Sequence, residues 1–394
     1  MKTAKEYLEY LTKQYPQEYT DNVPSPCYLI SEDIIEDNCN ILYNIKKESG
    51  AKILLALKAY ALPSTFPLIS RYLDGVCASG PYEARLGREE FKKEVHTFSP
   101  AYNDETIKDV VETSDHIVFN SLNQFYRYRD YVKSKGKEIG IRVNPGYSEV
   151  EVALYDPCQL GSRFGAQPED LLNADLNALD GLHFHAMCQQ NSDVLSRILE
   201  SFYKKYNQII KNVKWLNFGG GHHITRDGYD RELLIRLIKE FYTKYPNIKN
   251  IYLEPGEAVV FNAGVLVATV LDIVKNGIEI AILDTSAENH MPDVLAMPYR
   301  PEIFYAGEPN EKRYTYRLGG ITCLAGDVIG DYSFDNQLKI GDRLVFTDMA
   351  LYSFVKNTMF NGIHLPSLAK FSLKNKTYQI IRSFSYEDYK MRIS

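Results

Sequence analysis

The stretch AKILLALKAY, residues 51–60, is a short apolar run that closes on Lys58. Later runs repeat the pattern at 75–80, 94–100, 116–120, 138–145, 181–186, 214–221 and 250–256. They recur roughly every 20 to 40 residues with helix-like segments between most of them, which is the alternation of parallel βαβ units. Each run is short, and most are rich in Val, Ile, Leu or Phe, as strands buried on both faces are. Eight such units predict a closed (β/α)8 barrel, whose active site lies at the carboxyl ends of the strands. Those ends read Lys58, Ser79, Ser99, Asn120, Asn144, His185, Gly219 to Gly221 and Glu254. An open doubly wound sheet needs fewer strands and usually a glycine-rich turn after the first, and none follows Lys58.

The 394 residues exceed one barrel of about 250 and leave about a third of the chain for a second domain. The barrel is assigned to 31–262. Beyond it helical periodicity fades and extended segments dominate, at 264–274, 278–284, 312–318 and 343–347, with turn signals at Asn276-Gly277 and Gly341-Asp342. Residues 263–394 therefore read as an appended all-β domain. The extended segment 26–30 precedes the first barrel helix and is expected to return to that domain, so that residues 1–30 join it.

Hydrophobic residues make up 45% of the chain, enough for a sizeable core, and charged residues 24%, near the globular average. A net charge of −6 without a long Lys or Arg run gives no electrostatic reason to expect nucleic acid or an anionic membrane, and it is compatible with a cationic small substrate. The N-terminal stretch is charged throughout and lacks the apolar core of a secretory signal. The most apolar stretch, 258–274, is broken by Asn262 and Asp272 and is shorter than the roughly 20 residues that span a bilayer. The six cysteines, Cys27, Cys39, Cys77, Cys158, Cys188 and Cys323, lack CxxC spacing, so neither a disulfide framework nor a zinc ribbon is indicated. A cytoplasmic protein with reduced thiols is expected.

The strand ends suggest chemistry. The Lys58 amine can condense with an aldehyde cofactor if burial depresses its pKa, although a lysine after a strand is on its own more often a snorkelling surface residue. Glu254 can hold a pyridine nitrogen protonated; an isolated Glu-Pro-Gly is equally an ordinary strand-exit turn. Gly219, Gly220 and Gly221 have no Cβ and can bring backbone N–H groups to a phosphate, here after the seventh strand, where barrels often bind one. A flexible turn is the plainer alternative. His183 and His185 share a strand face, and with His222 and His223 they raise a metal-dependent barrel hydrolase as a second class. The other strand ends supply Lys, Ser and Asn instead of further ligands, so no metal is expected.

Taken together, Lys58, His185 in GLHFHAMC, the glycines of NFGGGHH, Glu254 in LEPGEA, Cys323 and Asp327 in ITCLAGD, and Tyr352 in DMALYSF resemble the fold-type III pyridoxal-phosphate decarboxylases. That superfamily has an alanine racemase-like barrel and includes ornithine and diaminopimelate decarboxylases. The resemblance runs from about residue 26 almost to the C-terminus, with the motifs in the family's order. It implies pyridoxal 5'-phosphate as cofactor, linked to Lys58, with His185 stacked on the ring and Tyr352 on the phosphate. It further implies a homodimer with shared active sites, in which Cys323 reaches the barrel mouth of the partner subunit and its thiol protonates the carbanion after CO2 loss. Asp327 would then hold a substrate amine.

GLHFHA, NFGGGHHIT, EPGEAV, AENHMPD, CLAGDV and VKNTMFNGI look most like the branch that acts on carboxylated polyamines. Diaminopimelate decarboxylases usually show EPGR and CESGD, whereas here Glu257, Leu324 and Ala325 stand at those places. An anionic distal carboxylate loses its partners, while Glu257, Glu288, Asp293 and Asp327 are matched to a cationic tail. The expected reaction is decarboxylation of carboxynorspermidine or carboxyspermidine in polyamine biosynthesis. Decarboxylation of diaminopimelate or another basic amino acid is the near alternative, and a non-catalytic pyridoxal-phosphate-binding regulator a more distant one.

Overall fold

The computed structural model describes residues 4–394, and its first strand, β1 (Cys27–Ser31), belongs to the C-terminal sheet and not to the barrel. The chain divides into two compact units: Glu36–Val259, and Val260–Ser394 together with the described residues up to Ile35. The units thus begin and end a few residues inside the 31–262 assigned to the barrel from sequence.

In the first unit eight strands follow one another: β2 (Lys52–Ala56), β3 (Gly75–Ala78), β4 (Glu94–Phe98), β5 (His116–Phe119), β6 (Glu138–Arg142), β7 (Gly181–His183), β8 (Trp215–Asn217) and β9 (Asn250–Leu253). Every neighbouring pair is parallel, and β9 pairs back with β2 to close the barrel. The connecting helices follow the 3.6-residue period. Ser192–Ile210 buries Val194, Leu195, Ile198, Leu199, Phe202, Tyr206 and Ile209, and the Asn191 side chain accepts the first free N–H, from Ser192. Asp230 caps Arg231–Lys244 in the same way, accepting from the Leu233 N–H at 2.8 Å.

The barrel interior is a packed core. Leu54, Val118, Trp215 and Tyr252 meet there, with Cys77 and Phe98 against them. Room for the indole comes from Gly181, where an added Cβ would lie 2.0 Å from Trp215 Cδ2. Burying a ring of roughly 200 Å2 at about 25 cal/mol per Å2 contributes on the order of 5 kcal/mol. The same layer holds His96 and His116, whose registered strands stack the imidazoles with centroids 3.9 Å apart.

The second unit is built on β10 (Gly264–Asn276), β11 (Ile278–Leu283), β12 (Tyr314–Gly319), β13 (Val328–Phe334), β14 (Arg343–Phe346), β15 (Ser367–Ser372) and β16 (Thr377–Arg382). The sheet order is β13-β12-β11-β10-β1-β15-β16, with β14 also on β10. β1 does return to this sheet. It runs antiparallel to β10, Cys27 opposite Val267, and parallel to β15, Cys27 opposite Ser367. Its CYLIS is buried at every position because both neighbours and both faces cover it.

Helices accompany the sheet. Short helices stand at Ala287–His290, Asp293–Ala296 and Ser353–Lys356, and a longer one at Tyr386–Ile393 is started by a Ser385/Asp388 capping box. The three short helices carry Glu288, Asp293 and the residue after Tyr352. No helix among the described residues is long and apolar enough to cross a membrane.

Candidate active site

Past the carboxyl ends of the barrel strands, Lys58, His185, Gly219 to Gly221 and Glu254 converge. Lys58 lies two residues beyond β2 and its Nζ stands 3.5 Å from His185 Nε2. The Lys58 side chain is exposed. His185 is held from two sides. Gly220 N–H donates to its Nδ1 at 2.9 Å, and Arg142 Nη2 donates to its carbonyl at 3.1 Å. Burial first, then the Lys58 and Arg142 charges, pushes its pKa well below the ordinary imidazole value. With Nδ1 an acceptor, the ring is neutral and carries its proton on Nε2.

Glu254 follows β9 directly and is the anionic centre of the site. Burial opposes its ionisation, but His183 and a hydrogen bond from Asn217 Nδ2 at 2.6 Å outweigh that and bring the pKa down to about 2. His183 Nε2 stands 3.3 Å from the other carboxylate oxygen. Burial lowers the pKa of His183, while the Glu254 carboxylate beside it pulls in the opposite direction. Asn217 ends β8 and also accepts the Gly219 N–H at 2.8 Å, so one side chain ties the glycine loop to the carboxylate. Positive φ at Gly219 and Gly221, and backbone carbonyls 2.4 and 2.0 Å from where a Cβ would sit, explain why no other residue fits there.

The remaining strand ends do other work. Asn120 clamps the loop after β6, donating to Arg163 O and accepting from Gly165 N. Asn144 accepts from Gly146 N, and the Ser99 N–H donates to the Tyr102 hydroxyl. Two further groups belong to the mouth and were not singled out from sequence. The buried Arg142 guanidinium stacks over Phe164 and Phe98, and burial lowers its pKa to about 10. Glu83 accepts the Ser79 N–H, and burial raises its pKa while Lys58 pulls it down. Only Asn217 had a signal, its place at the head of NFGGG.

Of the acids matched to a cationic substrate, three have partners of their own. Glu257 accepts from Arg226 at 3.0 Å and from Gln189 at 3.2 and 3.3 Å, with His223 Nε2 3.3 Å away. Although partial burial opposes its ionisation, it is held below the ordinary carboxylate range by these neighbours. In the second unit Asp293 pairs with Lys356. Asp327 is 4% exposed and accepts from Ser286, Thr322 and the backbone N–H groups of Ala287, Glu288 and Thr322. Both of its oxygens are engaged in fixing the loops around it. Among the described residues nothing engages the half-buried Glu288 carboxylate.

Cys323 is the exposed cysteine, while burial raises the pKa of Cys27, Cys39, Cys77, Cys158 and Cys188. Tyr352 has a left-handed backbone, φ 56°, immediately before the Ser353–Lys356 turn, a strained conformation for a tyrosine. The four histidines that suggested a metal are dispersed: His183 faces Glu254, His222 faces Tyr229 and His223 faces Glu257. No group of three metal-ligating side chains is assembled among the described residues.

Residues 27–350 match the family described as pyridoxal-dependent decarboxylase, C-terminal sheet domain. The chain is 46% identical over 385 residues to the carboxynorspermidine/carboxyspermidine decarboxylase of Campylobacter jejuni, covering 95% of this chain and 100% of that protein. It is 40% identical to the carboxyaminopropylagmatine decarboxylase of Synechocystis, over 94% of this chain and 96% of that one. The crystal structure of carboxynorspermidine decarboxylase from Campylobacter jejuni complexed with norspermidine superposes with a TM-score of 0.87 at 44% identity, covering 94% of this chain and 100% of that one.

Proposed function

The chain belongs to the pyridoxal-dependent decarboxylases, and from that premise we propose that it removes CO2 from carboxynorspermidine, carboxyspermidine or both. Its cofactor is pyridoxal 5'-phosphate, and the donor set at the barrel mouth fits that group. A carboxylate held ionised at a pKa of about 2 suits a protonated ring nitrogen, a lysine amine suits the aldehyde, and a neutral imidazole beside that amine suits the ring face. When bound, the cofactor accepts the electron pair that remains as CO2 leaves.

The chain's own groups divide the rest. Lys58 would hold the cofactor through its amine. His185, fixed by Gly220 and Arg142, orients the ring face. Glu254, fixed by Asn217 and His183, keeps the ring nitrogen protonated. Gly219 and Gly220 spend their N–H groups on Asn217 and His185, and the Gly221 N–H is assigned to the phosphate. The Cys323 thiol returns the proton to the carbon that lost CO2. Subunits pair so that Cys323 serves the partner's barrel, and the dimer resides in the cytoplasm, consistent with free thiols.

The observation that carries the substrate reading is end-to-end similarity to decarboxylases of carboxylated polyamines. The Glu257 cluster supports it, because a carboxylate clamped by Arg226 and Gln189 stands where diaminopimelate decarboxylases usually have arginine. Of the acids, Glu288 is assigned to the distal ammonium. Glu288→Gln then raises KM for carboxynorspermidine about tenfold or more, the size of one charge-assisted hydrogen bond, with kcat changed little. CO2 release by the cofactor-loaded enzyme, measured side by side on carboxynorspermidine, carboxyspermidine, carboxyaminopropylagmatine, diaminopimelate and ornithine, tests the whole. Preference for either of the first two is expected; equal turnover of diaminopimelate overturns the substrate assignment.

A further inference from the structure

Three loops of the sheet unit are joined into one closed circuit of hydrogen bonds, and Cys323 sits on it. Asp327 Oδ2 accepts from Thr322, through its hydroxyl at 2.7 Å and its N–H at 3.2 Å, and from the Ser286 hydroxyl at 2.9 Å. Ser286 Oγ accepts in turn from Asn289 N–H at 3.0 Å. The Asn289 side-chain amide donates to Phe360 O at 3.0 Å, and its backbone carbonyl accepts Thr358 N–H at 2.9 Å. The residue after Phe360, Asn361, closes the ring, since its Oδ1 accepts the Cys323 N–H at 2.7 Å. Asn361 has φ 60° and ψ 12°, a left-handed conformation that asparagine tolerates better than other side chains.

The circuit accounts for two residues that substrate binding leaves over. Cys323 is exposed, with Leu324, Ala325 and Gly326 exposed after it, so packing within its own chain does not hold its backbone. What fixes it is Asp327 through Thr322 on one side and Asn361 on the other. A thiol that must meet one carbon depends on such restraint, because a misplacement of about 1 Å costs on the order of a hundredfold in rate. We propose that Asn361 is a positioning residue that aims the Cys323 thiol, with Asp327 and Asn289 holding the far sides of the same ring. The proposal rests on the reading of Cys323 as the proton donor.

Two variants separate the Asn361 side chain from its backbone conformation. Asn361→Gly keeps the left-handed backbone and deletes the acceptor; Asn361→Asp keeps both. In Asn361→Gly kcat on carboxynorspermidine falls by about tenfold to a hundredfold while KM stays within about twofold, and Asn361→Asp recovers most of kcat. A second readout needs neither cofactor nor turnover. The full-length protein is treated with iodoacetamide and Cys323 is followed by peptide mass spectrometry, the other thiols being at least partly buried and slower. Its alkylation rate rises severalfold in Asn361→Gly, and to a lesser degree in Asn289→Ser, which loosens the same ring elsewhere. Unchanged alkylation in both variants overturns the proposal, as does a rise in KM that matches the loss of kcat. If the unaltered enzyme releases no CO2 from any carboxylated polyamine, the assigned reaction fails, and the alkylation rates alone then decide whether Asn361 restrains the thiol.

Discussion

Glu254 is a largely enclosed, half-buried carboxylate whose solvation loss favours the neutral acid, yet Asn217 and His183 hold it ionised. Its pKa of about 2 lies below the ordinary 4.5. A depressed carboxylate contributes stability that is present above its unfolded value and is lost as pH falls toward its folded one. Comparing Glu254→Gln with the unaltered chain isolates that contribution. In urea unfolding without cofactor, the stability advantage of the unaltered protein over the variant shrinks between pH 5 and pH 3, by on the order of 3 kcal/mol if followed down to pH 2. An advantage that stays constant across that range rules this out. Lys58, His185 and Glu254 were legible in the sequence because each ends an apolar run. Arg142 was not, because a polar residue inside a strand run looks the same whether it faces a mouth or solvent, and Asn217 had only its place at the head of NFGGG to mark it. The acids were legible only as charge: the donors around them, such as the five N–H and O–H groups on Asp327, are brought there only by folding.

At the scale of elements, β4 and β5 place two histidines in register inside the barrel. Burial, then the positive charges of His96, Lys52 and Lys133 in their protonated forms, drives the His116 pKa far below 6.5. The folded state therefore refuses a proton that the unfolded chain accepts, so this group's stability is full above pH 6.5 and falls as pH drops below it. His116→Phe keeps the stacked ring and removes the titration. The slope of unfolding free energy against pH, measured between pH 6 and pH 5, becomes shallower by up to about 1.4 kcal/mol per pH unit. An unaltered slope means that His116 is already protonated in the folded barrel. The barrel strands were readable because burial on both faces leaves continuous apolar runs. β13, β15 and β16 were not, because a half-exposed strand such as TYQIIR, buried nowhere along its length except in part at Ile381, mixes polar and apolar residues like a loop.

For the whole molecule, the chain builds its sheet unit from both ends, with β1 between β10 and β15. Sequence alone signalled that return through the extended segment at 26–30, since a strand before the first barrel helix has no partner in a barrel already supplied with eight. What one chain cannot express in its own sequence is how copies combine. Lys58 belongs to the barrel unit and Cys323 to the sheet unit, and the proposed dimer sets the Cys323 of one subunit at the barrel of the other. Lys58→Ala and Cys323→Ala, each nearly inactive alone, then complement when mixed. Random exchange makes half the dimers mixed, and each mixed dimer carries one intact site of two, so about a quarter of the unaltered activity returns. The recovery should appear only after conditions that let subunits exchange, and size-exclusion chromatography should give a dimer throughout. If each chain instead completes its own site, both sites of a mixed dimer keep one defect and no activity returns, however thoroughly the subunits exchange.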